Sequence, residues 1–155
     1  MDFEELIEKR HSVRKYSSEP VSKEIIEKLI KAAELTPSSR NKKPCSYIAV
    51  TDREILAKLS EAKAGGSQML KDASAAIVVC GDSEKSDVWI EDCSIAMTYL
   101  HLEAVNLGLG SCWIQLRNRT TSGGMDSVKY VKGLLGLDDK LEVPALLSIG
   151  NLQQD

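Results

Sequence analysis

Apolar residues recur every three or four positions in five segments of this chain and form short continuous runs in four others. The first spacing is typical of an amphipathic helix and the second of a buried strand. Helices are predicted over 2–10, 22–35, 52–59, 91–107 and 126–135. Strands are predicted over 47–50, 75–80, 111–116 and 142–149. This order, α-α-β-α-β-α-β-α-β, predicts one domain over residues 1–155, with helices packed on a sheet.

Residues with strong positional preferences mark the ends of these segments. Asp2, Ser22 and Asp52 are predicted helix N-caps, because their side-chain oxygens accept hydrogen bonds from first-turn amides. Gly108 fits the C-terminal cap of the fourth helix. Pro144 lacks a backbone N–H, so it indicates either the start of the last strand or an edge strand.

The fourth predicted helix differs from the others, because it is apolar on nearly all sides from Cys93 onward. Such a helix is expected to be buried on more than one side, against its own domain and against a second subunit. His101 lies at its middle, where a packed structural histidine is the expected role.

The composition excludes several classes of function. The net charge is −3 and aromatic residues make up 5% of the chain, which argues against a nucleic-acid partner. The N-terminus has no basic and apolar leader pattern, and the longest apolar stretch, 93–107, is too short to span a bilayer. A cytoplasmic location without a membrane partner is therefore expected. The four cysteines form no CxxC pair, so we expect reduced, mostly buried thiols and no metal site.

The segment Arg10-His11-Ser12-Val13-Arg14 carries the clearest candidate chemistry. In an extended backbone, Arg10, Ser12 and Arg14 lie on one side and form a cradle suited to a phosphate. A second polar cluster follows at 36–41, which suggests a phosphorylated cofactor held by two loops. A plainly solvated segment at the end of the first helix is the alternative.

Several familiar catalytic patterns are absent from the sequence. Gly108 and Gly110 follow a helix and precede a strand, the reverse of a dinucleotide-binding turn, and no phosphate-binding P-loop or nucleophile elbow occurs. A polar constellation without an evident acid, base or nucleophile predicts that a cofactor carries the reaction.

Three motifs, taken together, resemble the FMN-dependent nitroreductase family. They are Arg10–Arg14, Pro37–Asn41 with Pro44, and 108–114, in the order found in that family. The resemblance implies an α+β sandwich with a mixed or antiparallel sheet flanked by helices. It also implies a homodimer with FMN sites at the subunit interface and the long helix at its core. The implied reaction is ping-pong hydride transfer from NADH or NADPH through flavin N5 to an organic acceptor, a nitroaromatic or a quinone.

The resemblance also implies roles for individual residues, none of them an obligatory acid or base. The N-terminal motif would hold the phosphate, ribityl chain and pyrimidine edge, with Arg14 as the charge near flavin N1 and O2. The second motif would approach from the partner subunit, and the segment after Cys112 would pass the flavin ring. The FMN-binding residues implied in this way are Arg10, His11, Ser12, Arg14, Pro37, Ser38, Ser39, Asn41, Gln68, Trp113, Ile114, Gln115 and Leu116.

Two departures from the family pattern bear on these expectations. Gln68 stands where many members have an asparagine and a lysine, and the tail, which in the family carries a basic phosphate ligand, here ends in Asp155. Looser flavin binding is expected unless Arg117 or Arg119 compensates. A flavin-binding dimer without turnover, acting as a sensor or store, is the alternative function, and a dimeric structural protein without a ligand is a third.

Overall fold

The computed structural model describes residues 1–154, and Asp155 lies outside the described residues. The helices are α1 (Phe3–Lys9), α2 (Lys23–Glu34), α3 (Arg53–Leu59), α4 (Trp89–Asn106) and α5 (Ser127–Leu135). The strands are β1 (Cys45–Val50), β2 (Ala75–Asp82), β3 (Leu109–Gln115) and β4 (Leu141–Asn151). Short 3-10 turns occur at Ser39–Asn41 and Gln68–Lys71. The predicted order of helices and strands is confirmed. No observed boundary differs from the predicted one by more than two residues.

Local capping explains why the helices begin and end where they do. Asp2, Ser22 and Asp52 each accept a hydrogen bond from a first-turn amide, as predicted. At Asp2 the bond is reciprocated by Glu5, which completes a capping box. Gly108 follows α4 at φ +75°, a left-handed conformation that favours glycine.

The sheet is antiparallel throughout, with the strand order β1-β2-β4-β3. The interpretation of Pro144 as the start of the last strand or as an edge residue is wrong, because β4 begins at Leu141 and lies between β2 and β3. Pro144 is tolerated there because the β2–β4 register shifts between Val79 and Gly81. At this irregularity the Pro144 carbonyl accepts hydrogen bonds from the Leu116 and Arg117 amides.

Two helical layers cover the two faces of the sheet. Along each strand, alternate side chains enter one apolar cluster with α3 and α5, or the other with α2 and α4. The first cluster includes Leu56, Leu59 and Leu146, and the second includes Leu29, Met97 and Leu147; all six are fully buried. No helix among residues 1–154 is long and apolar enough to cross a membrane.

The outer side of the second layer is apolar yet exposed in a single chain. Helix α1 packs beside α4 but buries none of its residues, and Phe3 is 69% exposed. On α4, Cys93, Met97 and Leu100 face the sheet, whereas Ile95 and Tyr99 point outward and are exposed. Within one chain α4 is therefore buried on one side only, and its expected contact with a second subunit stays a prediction.

Candidate functional site

The N-terminal segment that follows α1 runs along the sheet beside β3. The Val13 amide donates to the Ser111 carbonyl (2.8 Å), and the Ser17 amide donates to the Asn151 carbonyl (2.9 Å). A Cβ at Gly110 would lie 2.7 Å from Val13 Cγ1, so glycine is what lets the segment approach the strand. The chain that follows α1 is thus fixed against the sheet at Val13 and at Ser17.

Tyr16 anchors this segment to the central strand. Its hydroxyl donates to the Val13 carbonyl (2.7 Å) and accepts from Ser148 Oγ (2.6 Å). Its ring lies over Gly150, where a Cβ would be 2.6 Å away. Burial raises the pKa of Tyr16 well above its usual range, so the phenol keeps the proton that it donates. The residues before it are therefore held in place by a neutral hydrogen-bonded anchor.

Arg10 points to α4, where it meets a buried histidine. Arg10 Nη1 lies 3.3 Å from His101 Nε2, and His101 Nδ1 lies 2.5 Å from Ser111 Oγ. Because a guanidinium can only donate, Nε2 must accept, and the ring proton therefore sits on Nδ1 and is donated to Ser111. Burial and the Arg10 charge lower the pKa of His101 from 6.5 to about 4, so the ring is neutral at pH 7.

Arg10 has no acidic partner to neutralise it. Among residues 1–154 its guanidinium forms no ion pair, and its hydrogen-bond partner, His101, is neutral. Ser12 is half-buried, while His11 and Arg14 are exposed. The N-terminal motif therefore presents cationic and hydroxyl donors with an uncompensated positive charge, which favours binding of an anion.

The second motif lies near the start of α4. The Ser39 amide donates to Asp92 Oδ1 (3.0 Å), and Ser38 Oγ accepts from the Lys43 amide (2.9 Å). Arg40, Asn41 and Lys43 have φ values of +53°, +53° and +48°. Left-handed backbone at non-glycine residues is uncommon and clusters at functional segments. Pro37, Ser39 and Asn41 are exposed on this loop and Ser38 is half-buried.

The two motifs are not brought together within one chain. The N-terminal motif contacts α4 at His101 and the second motif contacts it at Asp92, nine residues earlier. At 1.5 Å per residue the two contacts are roughly 13 Å apart along the helix. A ligand that touches both motifs would need either to span this distance or to meet the second motif of another chain.

Successive side chains along β3 point to opposite faces of the sheet, so the third motif is divided between the two helical layers. Trp113 packs with the α2–α4 cluster, and its indole N–H donates to Gln115 Oε1 (3.0 Å). Gln115 in turn donates to the Arg117 carbonyl (3.0 Å). Ile114 and Leu116 are fully buried in the α3–α5 cluster. Their side chains therefore face away from the layer that holds Arg10.

Gln68 also lies away from the N-terminal motif. It is exposed, in a groove with Lys63, Lys71 and Tyr130, in the layer of α3 and α5. The structure does not place it beside Arg10 within one chain, so its role stays a prediction.

Sequence reasoning missed three polar residues of this site, namely Asp92, His101 as the partner of Arg10, and Ser111. Asp92 and His101 are only 3% and 6% exposed on α4. With 3.6 residues per turn they lie at the two edges of the apolar buried stripe of this helix, and polar residues at those positions were a signal that sequence reasoning could have used. His101 is packed as expected, but it also orients Arg10.

Comparison with known proteins gives a consistent result. The sequence matches the Nitroreductase family over residues 7–68 and 61–151. A relative from Archaeoglobus fulgidus, provisionally named NADH dehydrogenase/NAD(P)H nitroreductase, is 43% identical over 149 residues, which cover 94% of this chain and 82% of the relative. An FMN reductase [NAD(P)H] of Bacillus subtilis is 35% identical over 81 residues, 52% of this chain and 32% of that protein.

A solved structure agrees with these sequence matches. An FMN-dependent nitroreductase from Clostridium difficile R20291 superposes with a TM-score of 0.93 at 44% identity. The match covers 97% of this chain and 87% of that one. The α+β fold expected from the resemblance is thereby confirmed.

Proposed function

This chain belongs to the nitroreductase family and is an oxidoreductase, and from that premise we propose that it is an FMN-dependent NAD(P)H oxidoreductase. The names of its relatives, an NAD(P)H nitroreductase and an FMN reductase, support this class of reaction. The proposed acceptor is a small organic molecule, a nitroaromatic or a quinone. When bound, FMN would supply the centre that takes up two electrons from NADH or NADPH and passes them on.

The single observation that carries the proposal is the unpaired Arg10. A half-buried guanidinium is normally matched by a carboxylate, yet among residues 1–154 Arg10 has only a neutral imidazole beside it. The charge therefore remains available for an anionic group of a ligand, and the residues present fit the phosphate or the anionic ring edge of FMN. Arg14 adds a second positive charge on the same segment.

His101 and Ser111 act in this proposal as positioning residues for Arg10. The proton on His101 Nδ1 is committed to Ser111, so Nε2 accepts from the guanidinium and fixes its direction. Tyr16 and Val13 hold the backbone of the same segment against β3 and β4. Preorganised donors lose little conformational freedom on binding, which favours affinity.

The distance between the two motifs supports a homodimer. A copy of α4 packed antiparallel on the outer side of α4 would bring the Ser39–Asn41 loop of one chain toward Arg10 of the other. The exposed apolar side chains on that surface, Phe3 and Ile7 of α1 and Ile95 and Tyr99 of α4, are suited to such a contact. The proposed FMN site then contains residues from both chains, as the resemblance implies.

The proposal is tested by titrating FMN into the purified protein and following flavin absorbance and fluorescence. We expect one FMN per chain, and we expect Arg10→Ala to weaken affinity by about 1.5–3 kcal/mol, roughly one to two decades. Lys58→Ala is the matched control, because it removes an exposed positive charge from α3 in the opposite layer. Full flavin retention by Arg10→Ala, or equal loss in the control, would remove Arg10 from the site.

Turnover is tested separately, by adding NADH or NADPH to the FMN-loaded protein with and without a quinone. Rapid bleaching of the flavin absorbance, followed by recovery when the quinone is added, is expected of an oxidoreductase. Stable FMN binding without bleaching would instead identify a flavin-binding protein without turnover. A protein that binds no FMN would contradict both the oxidoreductase and the flavin-binding protein.

A further inference from the structure

Two thiols meet between the start of α4 and the first strand. The Sγ atoms of Cys45 and Cys93 are 3.4 Å apart. Both cysteines are free, with Cys93 fully buried and Cys45 partly exposed. A disulfide needs a sulfur–sulfur distance of about 2.05 Å, so a movement of roughly 1.4 Å closes the bond.

The sheet makes room for this pair at Gly81. Gly81 is the cross-strand neighbour of Cys45 on β2. A Cβ at position 81 would lie 2.8 Å from Cys93 Sγ and 3.0 Å from the Trp89 ring. The absence of a side chain at Gly81 is therefore what allows Cys93 to stand beside Cys45.

Cys45 can be reached from outside, whereas Cys93 cannot. Cys45 lines a pocket of about 140 Å³, together with Pro37, Ser38 and Asp92. This pocket accommodates a small oxidant. Access at one sulfur and burial at the other suit a pair in which one thiol reacts first and its neighbour completes the bond.

The hydrogen bond between the two thiols supports the same division of roles. The hydrogen bond with the Cys93 thiol lowers the pKa of Cys45, against opposing contributions from burial and from the Asp92 charge. The same bond, with burial, raises the pKa of Cys93 far above its usual range. Cys45 is therefore the more acidic of the two thiols and the one suited to react first as a nucleophile. Burial raises the pKa of Cys80 to about 11, so this thiol does not compete with Cys45 for the first step.

We propose that Cys45 and Cys93 form a peroxide-sensitive dithiol that closes reversibly into a disulfide. In the first step the Cys45 thiolate attacks hydrogen peroxide, the O–O bond breaks, and Cys45 sulfenic acid and hydroxide form. In the second step the Cys93 sulfur displaces that hydroxyl group, the thiol proton leaves with it as water, and the S–S bond forms. Overall, two thiols lose two electrons and two protons to one peroxide, which yields two waters.

The bond would connect the redox state to the second motif. Cys93 is adjacent to Asp92, whose carboxylate holds the Ser39 amide. Drawing the first turn of α4 toward β1 shifts Asp92 and with it the loop Ser39–Asn41. The proposed dithiol therefore lies immediately behind a loop of the candidate site, although its chemistry needs no flavin.

The test is a peptide map of the protein after limited peroxide treatment, with free thiols blocked and without reductant. The Cys112→Ser variant is the suitable background, because trypsin leaves Cys93 and Cys112 together in the peptide 86–117. We expect this peptide cross-linked to 43–53, which contains Cys45, and loss of two free thiols per chain. Dithiothreitol should restore both thiols.

Single substitutions separate the pair from the other cysteines. Cys45→Ser should abolish the cross-link, and Cys93→Ser should leave Cys45 to proceed to sulfenic and sulfinic acid. Cys80→Ser is the matched control and should cross-link like the parent. Circular dichroism of each variant establishes that it is folded.

Two results would overturn the proposal. One is a cross-link that involves Cys80. The other is a folded parent protein in which Cys45 becomes sulfinic acid while Cys93 stays free. Because the readout is covalent and flavin-independent, it stands or falls separately from FMN binding and turnover.

Discussion

The two helical layers that enclose the sheet are built from the same kinds of apolar residues, but their buried polar side chains differ in the hydrogen-bond partners that they find. In the α3–α5 layer the buried hydroxyls of Ser60 and Ser67 bond to nearby backbone carbonyls. In the α2–α4 layer, Asp92 and His101 are buried within a helix and bond to residues distant in sequence. One layer uses polar groups to complete local turns, whereas the other uses them to hold two separate loops.

This difference indicates where stability and function reside. Buried polar groups stabilise little unless they are fully paired, and they are costly when a partner is removed. The α2–α4 layer keeps such groups, and it also leaves Phe3 and Tyr99 exposed. We therefore expect loss of a core side chain from α3 or α5 to alter unfolding alone, and changes in the α2–α4 layer to alter ligand binding as well.

The largest expected effect comes from a cavity in the α3–α5 layer. Leu56→Ala removes a fully buried side chain and should lower the free energy of unfolding by about 3 kcal/mol. Urea titration measures this loss, and FMN affinity per folded chain should be unchanged. Leu100→Ala on α4 is the matched variant, since it should destabilise similarly but also weaken FMN binding through its neighbour His101. Equal FMN affinity in the two variants would contradict the comparison.

A pH titration of stability tests the second layer at His101. The pKa of this residue is about 4 when folded, against 6.5 when unfolded, so only the unfolded chain binds the proton between these values. The contribution of neutral His101 to the free energy of unfolding is full above pH 6.5 and declines as the pH falls toward 4. Between about pH 7.5 and 4.5 the free energy of unfolding should fall by roughly 2.5 kcal/mol.

The neutral variant His101→Gln isolates that contribution. Urea unfolding of parent and variant at both pH values gives the difference, in which the other titrating groups cancel. The variant should lose less stability than the parent in acid. A parallel decline in both proteins would show that His101 is not the group responsible.

Substitution of Asp92 should have a smaller effect, a loss of about 1–2 kcal/mol in the free energy of FMN binding. Asp92→Ala leaves the Ser39 amide without its acceptor, so the loop should loosen and FMN affinity should fall. Asp92→Asn keeps an oxygen at Oδ1 and should retain most of the affinity. Isothermal titration with FMN compares them; equal loss in both variants would point to the charge rather than to the hydrogen bond.

The smallest expected effect is on stability, when one buried serine from each layer is replaced by alanine. Among residues 1–154 the buried Ser127 Oγ has no hydrogen-bond partner, whereas Ser111 Oγ accepts from His101. Ser127→Ala should leave stability unchanged or raise it by up to about 1 kcal/mol, while Ser111→Ala should lower it. Thermal melts of both variants measure this difference. A Ser127→Ala variant less stable than Ser111→Ala would contradict the assignment of Ser127 as unpaired and Ser111 as paired.

Most of the fold was predictable because it depends on local signals. Asp2 and Ser22 are caps whose partners lie within three residues. Pro144 was misinterpreted because its tolerance depends on a register shift of a distant strand, which no local pattern encodes.

The site was predictable only in part, for the same physical reason. The polar motif at Arg10–Arg14 is contiguous and therefore visible in the sequence. The pairing of Arg10 with His101 joins residues 91 positions apart, and only packing against β3 brings them together. Asp92 likewise could not be assigned to Ser39 without knowing that the loop after α2 returns to the start of α4.

The strand order β1-β2-β4-β3 has a consequence for the protein as it is being made. β4 is synthesised after the other three strands, yet it is the one that joins β2 to β3. While residues 141–151 are still inside the ribosome, β3 has no strand partner, and Tyr16 and Ser17 lack Ser148 and Asn151. The β1–β2 pair and the contact of Val13 with β3 can form earlier, but a nascent chain cannot join the two parts of its sheet or anchor Tyr16 until β4 has been made. Both of these form in one late step, when β4 inserts between β2 and β3.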